Sequence, residues 1–297
     1  MTSPEPTREW IKPSRVSLKA RFRAVIVSCL IAPFMLGAIA ACKKSPSGAT
    51  GTGESSPAPP ATPDSAVIVQ RFRDANSTLD STAKISARII EETGATREIR
   101  LTISRKSEPD GGEVMLIEFT SPVEERDRSS LITITPKGDI EATRYAQSTN
   151  SFVAAKGATS EDSLFGLSLQ ELAEGQIEKY DLAVLGEENF NSQPVYRLEG
   201  TLKQGADSKF HRIILLVSKE TFKALVAEFY DRQGTLVRQM EAGKFETING
   251  RVSRTQWVVD NVAHKRKIEF QTQSVTYDPK LSESLFSRES LKKITAK

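Results

Sequence analysis

Residues 223–251 read KALVAEFYDRQGTLVRQMEAGKFETINGR, and their pattern decides the fold. Leu225, Ala227 and Phe229 recur at every second position between Lys223 and Asp231, the spacing that puts side chains on one face of a strand and leaves the other face to water. Asp231-Arg232-Gln233-Gly234 then supplies turn residues, and a second run closes at Ile248-Asn249-Gly250-Arg251. Asn-Gly is a hairpin signal because both residues accept positive φ, which a two-residue turn between twisted strands demands. Neighbouring runs joined by tight turns describe an antiparallel meander.

The same grammar extends in both directions. Runs rich in β-branched and aromatic residues span 84–91, 97–105, 113–119, 130–135, 139–145 and 151–155, and then 180–186, 194–203, 210–218, 223–230, 235–248, 251–260 and 266–276. Pro109-Asp110-Gly111-Gly112 and Pro136-Lys137-Gly138-Asp139 separate adjacent runs. In the last run Ile268, Phe270 and Thr272 alternate with Lys267, Glu269 and Gln271. Three segments depart from this period. Val67, Ile68, Phe72, Ala75 and Leu79 follow helical spacing behind a cap at Asp64 or Ser65, so a helix is expected over 65–79. Residues 161–174, with Leu164, Phe165, Leu167, Leu169 and Leu172, suit a helical stretch that could act as a lid. Residues 278–293, with Leu281, Leu285, Phe286 and Leu291, suit a short helix across one end. The fold class is therefore mainly β with a few helices (α+β): a strongly curved antiparallel sheet of about a dozen strands with one apolar side, which is either filled or left as a ligand cavity.

The N-terminus is of another kind. Residues 8–23 are basic, Ala24 to Ala41 (AVIVSCLIAPFMLGAIAA) is uncharged and apolar, and small residues precede Cys42: the order of a secretory signal peptide. Ile39-Ala40-Ala41-Cys42 resembles the bacterial lipobox, which implies cleavage before Cys42 and a diacylglyceryl group on its thiol. Such an anchor holds about 0.8 kcal/mol per buried methylene, so two or three acyl chains bind a membrane durably. Lys43 is not the aspartate of inner-membrane retention, which by the same resemblance directs the chain to the outer membrane, facing the periplasm. Lys44 to Asp64 (KSPSGATGTGESSPAPPATPD) has almost no large apolar side chain and reads as a tether. The expected organisation is thus a signal peptide at 1–41, a lipidated cysteine and tether at 42–64, and a folded domain at 65–297.

Charge and composition remove several function classes. Taking the six basic and two acidic residues of 1–42 out of 41 and 38 leaves 35 against 36, a near-neutral mature chain without the positive footprint of nucleic-acid binding. Cys29 lies in the apolar run and no cysteine follows Cys42, so the mature domain has neither a disulfide nor a thiolate site. His211 and His264 are the only histidines and argue against a metal site. Ser290-Leu291-Lys292-Lys293 carries a Ser-x-x-Lys spacing without the companion motifs of penicillin-binding enzymes, and reads as a helix cap with basic residues. Glu91-Glu92, Glu124-Glu125, Glu161-Asp162 and Glu187-Glu188 would point to opposite faces of a strand, unlike paired catalytic acids. His264-Lys265-Arg266-Lys267 reads as a solvated turn. The chain is expected to be no enzyme and to need no cofactor.

Glu228-Phe229-Tyr230-Asp231-Arg232-Gln233-Gly234, Gly243-Lys244-Phe245-Glu246-Thr247-Ile248-Asn249-Gly250, Ser274-Val275-Thr276-Tyr277-Asp278-Pro279 and Ser284-Leu285-Phe286-Ser287 together resemble outer-membrane lipoprotein-sorting proteins of the LolA/LolB-like superfamily. Phe119-Thr120-Ser121-Pro122 and Glu161-Asp162-Ser163-Leu164 fall where that family has similar segments. The resemblance covers roughly 65–297. It implies an incomplete antiparallel β-barrel of about 11 strands covered by short helices, with an apolar cavity that accepts the acyl chains of lipids or lipoproteins. Leu164, Phe165, Leu225, Ala227, Phe229 and Trp257 are then the candidate lining. The alternative is an envelope-stress sensor of the same fold, resembling the superfamily's anti-sigma-regulating members, that binds the periplasmic segment of a membrane partner.

Overall fold

A computed structural model describes residues 64–77, 80–136, 139–154 and 177–296, and Pro63–Lys297 forms one compact unit. Cys42, the leader, the tether, Leu79, Leu164 and Phe165 lie outside the described residues. Helix α1 (Ser65–Asn76) opens the unit. Six strands follow: β1 (Ser81–Ile90), β2 (Thr96–Ser107), β3 (Glu113–Ser121), β4 (Ser130–Ile134), β5 (Ile140–Ala146) and β6 (Ser151–Ala154). Seven more complete the sheet: β7 (Tyr180–Phe190), β8 (Gln193–Leu202), β9 (Arg212–Ser218), β10 (Ala224–Tyr230), β11 (Leu236–Ile248), β12 (Arg251–Asn261) and β13 (Arg266–Tyr277). Helix α2 (Arg288–Thr295) ends the chain.

All thirteen strands belong to one antiparallel sheet in the order β6-β5-β4-β3-β2-β1-β13-β12-β11-β10-β9-β8-β7. Each matches one of the thirteen runs in the sequence, two more than the family resemblance implies. The sheet is open, with β6 and β7 as its edges. It is also two meanders rather than one, because the first strand pairs with the last, from Ser81↔Tyr277 to Ile90↔Lys267. Local hairpin signals cannot reveal that join, since it links segments nearly two hundred residues apart. Arg88 and Glu269 clasp it from one face, with Arg88 Nη2 2.5 Å from Glu269 Oε2.

The turns follow the residues. Asn249 and Gly250 take φ of 50° and 76°, the paired positive values of a tight hairpin between Ile248 and Arg251. Asp231 Oδ1 accepts hydrogen bonds from the backbone N–H of Gln233 and Thr235, which holds the turn from β10 to β11.

Alternation sends one set of apolar side chains to a common inner face. Leu215, Ala227, Met240, Val259, Ile268 and Ile89 are register partners in one row across six neighbouring strands. Around this row lie two clusters. One gathers Ile85, Ala87, Ile89, Ile99, Ile117, Ile132 and Ile268 from the first meander and β13. The other gathers Tyr180, Leu198, Ile213, Leu215 and Val217 from β7–β9 with Ile68 and Phe72 of α1. Full burial of each such side chain stabilises by about 1.5–3 kcal/mol.

Helices α1 and α2 cover opposite faces. α1 starts at the Asp64 cap, whose Oδ1 accepts from Ala66 N at 3.2 Å, and buries Ile68 and Phe72, one turn apart, against the inner face of β7–β9. It stops at Asn76, three residues earlier than expected, where the Asn76 amide donates to the carbonyls of Phe72 and Phe222. Val67, on its other side, is 48% exposed. α2 lies on the outer face, with Leu291 and Ile294 packed on Leu116 and Tyr145, rather than across one end of the sheet. Its cap is Ser287, whose Oγ accepts from Ser290 N at 3.1 Å, so Ser290 is the donor at the cap rather than the cap itself.

Candidate functional site

The inner face is not uniformly closed. Phe229, Met240, Ala242, Phe245 and Trp257, from β10, β11 and β12, remain partly exposed between the two buried clusters. Met240 packs against both clusters and so marks their junction. An apolar face with large side chains left partly in water can take an apolar ligand by the hydrophobic effect alone, at about 25 cal/mol per Å² covered.

The strand pattern puts the expected residues here with one exception. Ala227 is 2% exposed within the second cluster, and Phe229 packs at its margin against Phe210, with ring centroids 4.9 Å apart. Leu225 falls at a register shift between β9 and β10, where Ala224 pairs with Val217 and Val226 with Leu216. That bulge breaks the alternation, so Ala224 rather than Leu225 packs on the cluster. Trp257 packs on the first cluster and stacks on Phe270 at 4.8 Å, with the rings 8° from parallel. The structure thus assembles Ala227, Phe229 and Trp257 on one face.

A second irregularity brings in residues that the alternation gives no reason to select. Ala242 pairs with Trp257 and Phe245 with Arg254, with register shifts between them. Residues three apart on a regular strand face opposite ways. Here they meet: the Arg254 guanidinium lies over the Trp257 ring at 4.9 Å and donates through Nη1 to Met240 Sδ at 2.9 Å. Loss of water around the Arg254 guanidinium pulls its pKa from 12.5 down to about 10. Lys223, at the foot of β10, donates to the carbonyl of Ala75 at the end of α1. Burial lowers its pKa, and the positive charge of Arg254 lowers it further. A basic residue three positions before a strand tryptophan was the available signal, but only the register shift gives it meaning.

Other chemistry in the sequence resolves as structure. Arg266 Nε pairs with Glu91 at 2.8 Å and Lys265 Nζ with Glu92 at 2.5 Å, so the basic run and one acidic pair tie two neighbouring turns together. His211 Nε2 accepts from Arg232 Nε at 3.0 Å. Among the described residues, no three His, Cys, Asp or Glu side chains are placed to hold a metal ion, and no helix is long and apolar enough to cross a membrane.

Solved structures share this architecture. A DUF1329 family protein from Desulfovibrio piger aligns with a TM-score of 0.69 and 23% identity, over 76% of this chain and 96% of that one. A putative outer membrane lipoprotein-sorting protein domain from Vibrio parahaemolyticus gives 0.66 and 21%, over 76% and 97%. A LolA superfamily protein from Nitrosomonas europaea gives 0.59 and 16%, over 77% and 100%. No curated protein matches the chain. A family model described as "Uncharacterized protein" matches residues 111–293, more than half of the sequence. The chain belongs to the family of that model, and its fold is the LolA-like one.

Proposed function

We propose that this protein binds the acyl chains of a lipid or lipidated protein on its inner apolar face, as a non-catalytic component of lipid or lipoprotein traffic in the cell envelope. The observation that carries the reading is the partly exposed stretch at Phe229, Met240 and Trp257, set between two buried clusters on the same face. Fully packed cores do not leave three large apolar side chains open side by side. One structure of this fold is described as a putative outer membrane lipoprotein-sorting protein domain, which supports lipidated cargo over a free small molecule. In this reading Cys42 carries the lipid anchor, the tether spans 43–64, and the domain faces the periplasm from the outer membrane. Leu164 and Phe165 belong to the proposed lid.

The test is extraction and mass spectrometry of small molecules bound to the full chain isolated from bacterial membranes. Co-purifying acyl species that disappear in a Trp257→Glu variant are expected. A chain that never carries acyl species overturns the reading. Anchoring is checked separately: radiolabelled palmitate incorporation is expected to vanish in Cys42→Ala, and continued labelling refutes the anchor.

A further inference from the structure

Arg254 has no structural role that requires its charge, and Lys223 uses its charge only at the end of α1. No ion pair joins either side chain to a carboxylate among the described residues. The partners of the Arg254 side chain are a thioether sulfur and an indole face, both weak substitutes for the five donors of a guanidinium. Lys223 holds one carbonyl at the end of α1. Burying cations without a counter-charge is costly, and proteins ordinarily pair or neutralise them. The outer face of the same region shows that ordinary arrangement, with Arg88 on Glu269 and Arg212 on Glu199. The inner face instead sets two cations beside the open apolar stretch.

We propose that Arg254 and Lys223 form the headgroup site for an anionic amphiphile, a phosphate or carboxylate head on an acyl chain, with the chain lying along Met240, Trp257 and Phe229. The assignment rests on the acyl-binding reading and adds the charge and position of the head. Geometry favours it in three ways. A guanidinium presents a planar fork that matches phosphate and carboxylate oxygens. The register shift between Ala242 and Phe245 aims that fork at the apolar face, which a regular strand would not do. The positive charge of Arg254 also lowers the pKa of Lys223, an unfavourable proximity that an anion between the two relieves.

The test is native mass spectrometry of the full chain purified in dodecyl maltoside, with dodecyl phosphate or inorganic phosphate added. The two detergents share a chain length and differ in head charge. Wild-type protein is expected to retain dodecyl phosphate over dodecyl maltoside by about tenfold or more, the scale of one or two charge-assisted hydrogen bonds. Lys223→Gln/Arg254→Met is expected to bring that preference to about one while still retaining dodecyl maltoside, and Arg254→Lys to restore part of it. The preference between two ligands of one protein does not depend on overall stability, and circular dichroism confirms that each variant is folded. Retention of both detergents without preference, or a preference unchanged in the double variant, overturns the headgroup site and leaves acyl binding standing. Retention of inorganic phosphate as tightly as dodecyl phosphate overturns the amphiphile and leaves a simple anion site. Retention of neither detergent overturns both.

Discussion

Two stretches of the inner face obey the same alternation and end in different states. Ile89, Ile132 and Ile268 are fully buried at 0% exposure. Phe229, Met240 and Trp257 sit on the same face and stay partly open. Nothing in their two-residue period separates them, because the period reports only which face a side chain takes. The difference comes from what crosses that face. α1 covers β7–β9, and the first meander packs its isoleucines together, while β10–β12 lie between with a bulged register. The lesson is that an apolar strand face becomes core or binding surface according to its neighbours.

That contrast can be broken by mutation. Ile132→Ala is expected to cost about 2–5 kcal/mol, as for a buried large-to-small change, and Met240→Ala less, about 1–2 kcal/mol, because part of its surface is already wet. Urea denaturation measures both, and equal costs would erase the distinction between the two stretches. On the closed side, a Cβ at Gly200 would lie 2.5 Å from Ile213 Cγ1 and 3.0 Å from Leu182 Cδ2. Gly200→Ala is therefore expected to destabilise by about 1–3 kcal/mol through overpacking, whereas a neutral result would show that this flank is looser than its burial suggests. Asp64→Ala removes the cap of the helix that closes the second cluster and should cost about 1 kcal/mol. A loss in α1 protection by hydrogen exchange, without change in β1–β5, would place that cost on the covered flank.

The smallest effect concerns the opposite face of β10. Tyr230 donates to Glu228 Oε2 at 2.7 Å beneath the Arg212 guanidinium, and burial first, then the Glu228 hydrogen bond and charge, push its pKa from 10.0 up to about 12. The folded protein thus keeps this proton to about pH 12, while the unfolded chain releases it near pH 10. Between those values the folded state binds more protons, so stability falls as pH rises. The denaturation midpoint of the wild type should drop more between pH 9.5 and 11.5 than that of Tyr230→Phe. Equal drops would show that the phenol is solvated like the free side chain.

Most strands were legible because strand and hairpin signals are local. Ala227-x-Phe229, Asn249-Gly250 and Asp231 to Gly234 each act within a few residues, and the structure keeps all of them. Features that depend on two distant segments were not legible. The join of β1 to β13 leaves no trace in either strand alone. The bulge at Leu225 exchanges its place with Ala224 through the fit of β10 on β9. Arg254 carries no local mark of its role, because only the register of β11 on β12 turns it toward Trp257.

The pairing of first strand with last also bears on how such a chain is made. Arg88 and Glu269 stand 181 positions apart, and until β13 emerges both β1 and β12 offer bare ribbon edges to any passing strand. A chain made amino end first therefore leaves both edges bare until β13 (Arg266–Tyr277) has been added. Clipping the carboxyl end before Arg266 would unpair both edges at the midline of the sheet, so proteolysis there should dismantle the whole domain rather than trim it.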